Sequence, residues 1–409
     1  MGLWHPWRIN ITKNRKETSP MNEYNLTLTD EKVLTETQTM LNEYLQLKAD
    51  GYKCSSDDLY RVLLGVAANQ GTLEAVCADL VGTPDPQTIR NYINEQICVE
   101  ELAQLETQLN KALVKGIPPR IWRRPQDIAM DFHDRPYYGK EAQENGLWVR
   151  GRAKDGTTRF YRIATAYIIL NGLRFTLGIC FVLPEDTTVG VLEELLKRVK
   201  GLRIQVNRLL LDRGFAGIEV QYHLEQQQIP ALIACPIRGQ KGGTRALCRG
   251  RKGYRTPHEF KNAKTKLSRT ADLAVCRVFT TAKRTKRLKR RATWWIFILI
   301  NLDLSPRQVR RLYRRRFGIE TSYRCAAQVR GWTTSPNAAY RFLLMALALF
   351  LLNVWMILRW QFTQIPRRGG RRLDTRQFQL SRFAKFIVHA LEQHYGYVRS
   401  ITAVAVPLL

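Results

Sequence analysis

Between Phe342 and Leu358 the chain reads FLLMALALFLLNVWMIL, without one charged residue. A segment this apolar has to leave water, either by crossing a bilayer or by lying inside a large folded core. Its length is at the lower limit for about 30 Å of hydrocarbon. Asn353 falls inside it, and Arg341 and Arg359 flank both ends, so no membrane orientation is favoured. The pattern favours a buried helix of a soluble domain over a membrane span, and stable membrane insertion is not expected.

A chain of 409 residues with 45% hydrophobic residues can build two or three domains with real cores. Its 65 Lys plus Arg against 35 Asp plus Glu give a formal charge of +30. That excess points to a polyanionic partner, nucleic acid first and anionic membrane second. The eight cysteines are scattered, with no Cys-x-x-Cys pair and no histidine at zinc-ligand spacing. They read as reduced, mostly buried residues of a cytoplasmic protein, and Cys325 as helix filler. The start, Met-Gly-Leu-Trp-His-Pro-Trp, has no apolar signal core, and Pro6 breaks a myristoylation pattern.

Changes in periodicity divide the chain into a flexible N-terminus (1–28), an α-helical domain (29–115), a linker (116–126), a domain of strands followed by helices (127–361) and a basic tail (362–409). Within the helical part, residues 71–80, a break through Pro84 and Pro86, and residues 87–94 have helix-turn-helix spacing. Thr72 or Thr88 can cap, and Pro84 and Pro86 are expected to stop the first helix. Thr88, Arg90, Asn91 and Asn94 could meet base edges, although any helical hairpin can look like this.

From Asp127 the pattern turns to strands: 127–132, two β-rich runs around the turn Asn171-Gly172, then helix, strand, helix and strand to Pro236. This is a mixed sheet with helices packed on it. Residues 237–302 read as a β insertion whose tip, Lys283 to Arg291, has seven cations in nine residues. Lys286 and Arg287 in that tip, next to Trp294 and Trp295, suit contact with phosphate, against the plainer reading of a solvated charge run. After Ser305 the chain returns to helix.

Three carboxylates stand out. Asp131 and Asp212 are expected at the ends of apolar strands, where neighbouring strand ends bring such residues together. Glu320 is alone among six arginines between Arg310 and Arg324. On one continuous helix, Tyr313, Arg316, Glu320 and Arg324 would form a single row. Asp134 competes with Asp131, but residues 131 and 133 share a strand face while 134 points away. His133 is either a polar rim residue or a metal contact. Clustered carboxylates need a neutralising cation, and hard oxygen donors suit Mg²⁺ or Mn²⁺. Each position alone is also a common structural one.

Together these residues resemble the DDE transposases of prokaryotic insertion sequences that carry a β-strand insertion before the last acid and a Tyr-x2-Arg-x3-Glu-x6-Lys signature. Tyr313, Arg316 and Glu320 match that spacing, Asp212-Arg-Gly-Phe215 resembles the second-acid motif, and Ala129 to Gly139 resembles the first-acid strand. The signature lysine is replaced by Ala327, so Arg324 or Arg330 would have to supply its phosphate contact.

The resemblance implies an RNase H-like α/β fold with a five-stranded mixed sheet, and a transposase that binds terminal inverted repeats and target DNA, a dimer on paired DNA ends. It implies Asp131, Asp212 and Glu320 as catalytic ligands of two Mg²⁺ ions, with Mn²⁺ able to substitute, for DNA hydrolysis and transesterification. Tyr313, Arg316 and Arg324 would position the scissile phosphate. Trp294 or Trp295 would stack on a displaced base if cleavage passes through a hairpin. A domesticated, inactive DNA-binding derivative is the alternative.

Overall fold

The computed structural model describes residues 27–118, 121, 123–139, 146–170, 173–263, 265–284, 287–316, 318–367 and 370–401. The N-terminal segment expected to be flexible lies, up to residue 26, outside the described residues, as do the turn Asn171-Gly172 and Lys286. The chain forms two compact units, one of residues 1–117 with 324–409, the other of residues 118–323.

The first unit opens with helix α1 (Asp30–Asn42), the short strands β1 (Asp50–Gly51) and β2 (Cys54–Ser55), and helices α2 (Ser56–Ala68), α3 (Leu73–Asp79), α4 (Pro86–Gln96) and α5 (Leu102–Val114). Helix starts follow side-chain chemistry. Thr29, Ser55 and Thr72 each accept a hydrogen bond from a first-turn backbone N–H, and Ser55 and Asp58 form a reciprocal capping box. At α4 the cap is Asp85, not Thr88, and Pro86 begins the helix where it was expected to end the previous one. A first-turn proline gives up no helical hydrogen bond, which makes that position the favourable one. Leu73, Val76, Leu80, Ile89 and Ile93 are buried as their spacing required.

The second unit is built on β3 (Gln126–Pro136), β4 (Val149–Lys154), β5 (Thr157–Leu170), β6 (Leu173–Val182), α6 (Thr188–Gly201), β7 (Val206–Leu211), α7 (Ile218–Gln226), β8 (Ala231–Cys235), β9 (Tyr254–Lys261), β10 (Ser268–Arg284) and β11 (Arg287–Ile300). The sheet order is β6-β5-β3-β7-β8-β11-β10-β9, and β4 also pairs with β5. β3, β7 and β8 are parallel; all other pairs are antiparallel. The parallel strands are fully covered, with Ile128 to Met130, Leu209 to Leu211 and Ala231 to Ile233 at most 1% exposed. This is why they read as unbroken apolar runs.

The five strands implied by the resemblance are therefore present as β6-β5-β3-β7-β8, but the insertion continues the same sheet. Ile296 to Ile300 of β11 pair with Cys235 to Ala231 of β8 and are buried. Their two-sided apolar character makes an isolated insertion unfavourable. Strand β9 was not anticipated, because Tyr254–Lys261 has the composition of the basic segment around it and alternates between exposed and half-buried residues.

After helices α8 (Pro306–Tyr313) and α9 (Gly318–Ala326) the chain forms α10 (Ala338–Phe362), the strands β12 (Gln364–Arg367) and β13 (Gly370–Leu373), and α11 (Leu380–Tyr395). The apolar segment is the middle of α10. By length and composition α10 could cross a membrane, yet almost all of it is buried in this fold. It packs with α2, α5 and α11 in the first unit. This differs from the expected boundaries, which placed it in the domain of residues 127–361 and left only a tail after it. Sequence proximity to Glu320 suggested that placement, whereas the apolar faces of α2 and α5 are what cover the helix.

Asn353, 1% exposed, donates from Nδ2 to the Leu113 carbonyl at 2.7 Å. That carbonyl lies in the last turn of α5, where no intrahelical donor is available. Asn353→Leu should therefore lower the unfolding free energy by about 1–3 kcal/mol, read as a lower urea midpoint at unchanged slope. An unchanged midpoint would show that this bond contributes nothing to the unit.

Candidate active site

The three acids come from separate parts of the chain and converge on one guanidinium. Arg316 Nη1 is 3.0 Å from Asp131 Oδ2, and its Nη2 is 3.6 Å from Asp212 Oδ1 and 3.4 Å from Glu320 Oε1. Asp131 and Arg316 are buried, Asp212 is partly accessible, and Glu320 is the most exposed. Among the neighbouring arginines, Arg311, Arg314 and Arg315 are exposed. The facing carboxylates offset part of the desolvation cost of burying the Arg316 guanidinium.

Local structure explains each placement. Asp131 lies inside β3 rather than at its end, since the strand continues to Pro136 and pairs Asp131 with Thr165 of β5. Alternation then sends Asp134 to a different partner, Arg162, which binds it through two hydrogen bonds of 2.6 and 3.0 Å. Asp212 follows β7 and precedes a short 3-10 turn, Arg213–Phe215. Phe215 stacks on Phe132 of β3 with ring centroids 4.5 Å apart. A Cβ on Gly214 would come within 2.9 Å of the Phe132 ring, so the glycine lets the two acid-bearing segments pack together.

The expected single helical row is broken. Helix α8, opened by a capping box of Ser305 and Gln308, ends at Tyr313, and α9 starts at Gly318. Between them the N–H of Gly318 bonds to Arg315 and that of Ile319 to Arg316, which tightens the turn to three-residue spacing. Arg316 thus lies in the turn between helices and Glu320 in the first turn of α9, where the helix dipole favours a carboxylate.

Tyr313 is buried and supports Arg316. Its ring is 5.0 Å from the guanidinium carbon and 4.5 Å from the ring of Phe297, and its hydroxyl donates to the Leu211 carbonyl at 3.5 Å. Burial raises its hydroxyl well above the ordinary tyrosine range.

Tyr323 and His133 also border the site, with rings stacked at 4.3 Å, and the Tyr323 hydroxyl shares a 2.5 Å hydrogen bond with Thr165. The signal was present: Tyr323 is one helical turn from Glu320, and His133 is on the strand face of Asp131.

Other expected site residues are elsewhere. Arg324 is exposed near the end of α9, and Arg330 is buried with its guanidinium 5.0 Å from the Trp332 ring. Thr88 is half-buried, Arg90 pairs with Glu74 and bonds Gln87, and Asn91 accepts from Gln87 at 2.8 Å. Trp294 and Trp295 are half-buried on β11, opposite Arg277 and Cys276. Arg287 begins β11.

Chemically, the cluster is a receptor for positive charge. Three oxygen-donor side chains share one cation, and that donor set suits Mg²⁺ or Mn²⁺. Among the described residues, however, no three acids, histidines or cysteines are grouped closely enough to bind an ion as they are.

Burial pushes the Asp131 carboxyl up to about 7, opposed by Arg316 and reinforced by Asp212. Its folded value therefore lies above the unfolded one, so its contribution to stability is complete below about pH 4 and is lost as pH rises through about 7. In EDTA, the melting temperature of Asp131→Asn minus that of wild type should increase from pH 5 to pH 8 and then level off. A flat difference would mean that Arg316 keeps Asp131 ionised throughout.

Residues 181–352 match the family described as transposase DDE domain. The matched span contains Asp212 and Glu320 and begins after Asp131. Among solved structures the chain is similar to piggyBac transposase in a synaptic complex with hairpin DNA, at 10% identity and a TM-score of 0.50, covering 91% of this chain and 78% of that one. No curated protein matches it. The fold is similar to that of piggyBac transposase, and residues 181–352 are similar to the transposase DDE domain.

Proposed function

We propose that the protein is a DNA transposase of an insertion sequence, cutting at the terminal inverted repeats of its element and joining the freed ends to target DNA. The observation that carries this reading is the convergence of Asp131, Asp212 and Glu320 on Arg316. Asp131, Asp212 and Glu320 would hold the divalent ions once Arg316 had withdrawn from between them. When bound, two Mg²⁺ ions, or Mn²⁺ in their place, supply activation of the attacking oxygen and stabilisation of the leaving one.

The chain's own residues do the rest. Arg316, displaced from the acids, would bind a phosphodiester, whose geometry its planar guanidinium matches. Tyr313 fixes the base of that movement, and Tyr323 with Thr165 and His133 holds the wall beside Asp131. Arg324 would add a phosphate contact. The α3–α4 hairpin is proposed to read the repeats, with Arg90 exchanging Glu74 for a base edge. The basic β10–β11 hairpin, including Lys286, Arg287 and the two tryptophans, would contact DNA next to the cut. The structural neighbour is a synaptic complex with hairpin DNA, which supports a hairpin intermediate, and the same proposal has a dimer hold the paired ends. Such a protein would work in the cytoplasm at the nucleoid.

Two features favour a second reading, a domesticated DNA-binding derivative: Ala327 at the position of the signature lysine, and a guanidinium in the middle of the acids. The deciding experiment is Mg²⁺-dependent cleavage of labelled DNA carrying the element's ends, by wild type, Asp212→Asn and Glu320→Gln. The expected result is cutting by wild type and DNA binding without cutting by both variants, a loss of at least about a thousandfold, as for removal of a central catalytic group. Wild type that binds the ends and never cuts with Mg²⁺ or Mn²⁺ would establish the derivative instead.

A further inference from the structure

The edge of the sheet beside β3 carries a second cationic feature that the acids do not account for. From Trp148 to Arg162 the chain has Arg150, Arg152, Lys154, Arg159 and Arg162 against one carboxylate, Asp155. Asp155 and Gly156, both at positive φ, form the tight turn joining β4 to β5. Arg150 and Arg159 are direct cross-strand partners, a like-charge pairing that destabilises a sheet by itself. Both guanidiniums are drawn to the ring of Trp148, at 5.6 and 5.0 Å from its centroid.

The half-buried Trp148 and the exposed Arg150 line a cavity of about 410 Å³ whose other walls include Val182, Leu183 and Pro184. Such a cavity offers a flat apolar wall and a guanidinium at once. The first suits the face of a nucleobase and the second its phosphate, and duplex DNA hides the base faces that the wall would bind.

Position ties this cavity to the acids. Arg162, which also lines it, pairs across the sheet with Asp134, and Thr165 further along the same strand pairs with Asp131. Three strand steps, roughly 10 Å, separate the two positions, whose side chains lie on opposite faces of the strand.

We infer that Trp148, Arg150 and Arg159 form a binding site for an unpaired nucleotide of the DNA strand flanking the bond to be cut. Trp148 stacks on the base and the two arginines bind its phosphates. This rests on the reading of the protein as a DNA transposase and adds to it a single-strand site outside the β10–β11 hairpin.

The test uses the full chain and fluorescence anisotropy with a labelled duplex, either blunt or carrying a single-stranded thymidine tail of about five nucleotides. Wild type should bind the tailed duplex about tenfold more tightly, as expected from stacking of one or two bases. Trp148→Ala should abolish that preference while leaving blunt-duplex affinity unchanged, which also certifies its fold, and Trp148→Phe should keep most of it. Should Trp148→Ala fail to fold, Arg150→Gln, on the surface, serves instead: it should reduce the preference and lower the salt dependence of tailed binding by about one ion.

Equal binding of both duplexes by wild type, or a full preference retained in Trp148→Ala or in Arg150→Gln, overturns the site and leaves the transposase reading intact. Failure of wild type to bind either duplex overturns the transposase reading, and this site with it.

Discussion

Carboxylates gathered in a poorly hydrated site repel one another, and the second unit resolves that repulsion with one guanidinium. Arg316 touches an acid from β3, an acid from the end of β7 and an acid from α9. It can do so because α8 and α9 do not form one continuous helix. A straight helix would put Arg316 and Glu320 on one side of a rod. The tightened turn before Gly318 lets the arginine point into the sheet while Glu320 remains at a helix start. Gly318 suits this turn because a Cβ there would approach the Arg174 guanidinium to 3.1 Å, and its carbonyl accepts from Arg174 at 3.2 Å.

The sheet follows from the same requirement of placing acids near one another. Parallel pairing of β3 with β7 aligns Met130 with Leu211, so the residues that follow each, Asp131 and Asp212, emerge side by side. The Phe132–Phe215 stack and the bare backbone of Gly214 then fix the spacing between them. The Asp-Arg-Gly-Phe stretch thus combines a charge, a close approach and an aromatic anchor in four residues. A hydrophobic mixed sheet would fold without any of these. Their presence at one end of two adjacent parallel strands is what makes that end a place for chemistry.

Much of this was legible in the sequence, and the failures have identifiable causes. The parallel strands were visible as apolar runs because both their faces are covered, and α6 because its leucine spacing follows the helical period. The convergence of the three acids was expected from strand ends and signature spacing, and the first expectation held for Asp212 but not for Asp131, which lies inside β3. The break between α8 and α9 was not, since Arg314 to Phe317 are compatible with helix and only tertiary contact decides. Strand β9 was hidden by composition, its pairing with β10 deciding what its own residues left open. The partner of the apolar segment was hidden for another reason: periodicity reveals that a helix needs covering and not which distant helices cover it. Trp148 escaped notice because its two arginines are neighbours only after β4 and β5 pair.

Arg316 is set apart from the neighbouring arginines by its carboxylate partners. Three clustered carboxylates either take up protons or face a cation. Asp131, with its carboxyl displaced to about 7 by burial, lies close to the first outcome. The guanidinium supplies the second, and Tyr313 beneath it keeps the side chain from swinging freely to solvent. Arg311, Arg314 and Arg315 would attract polyphosphate equally well from the surface and need no such setting. Burial of this one arginine follows from its three carboxylate partners and the Tyr313 ring beneath it. A plain surface ladder of arginines and one glutamate would have left Arg316 as exposed as its neighbours.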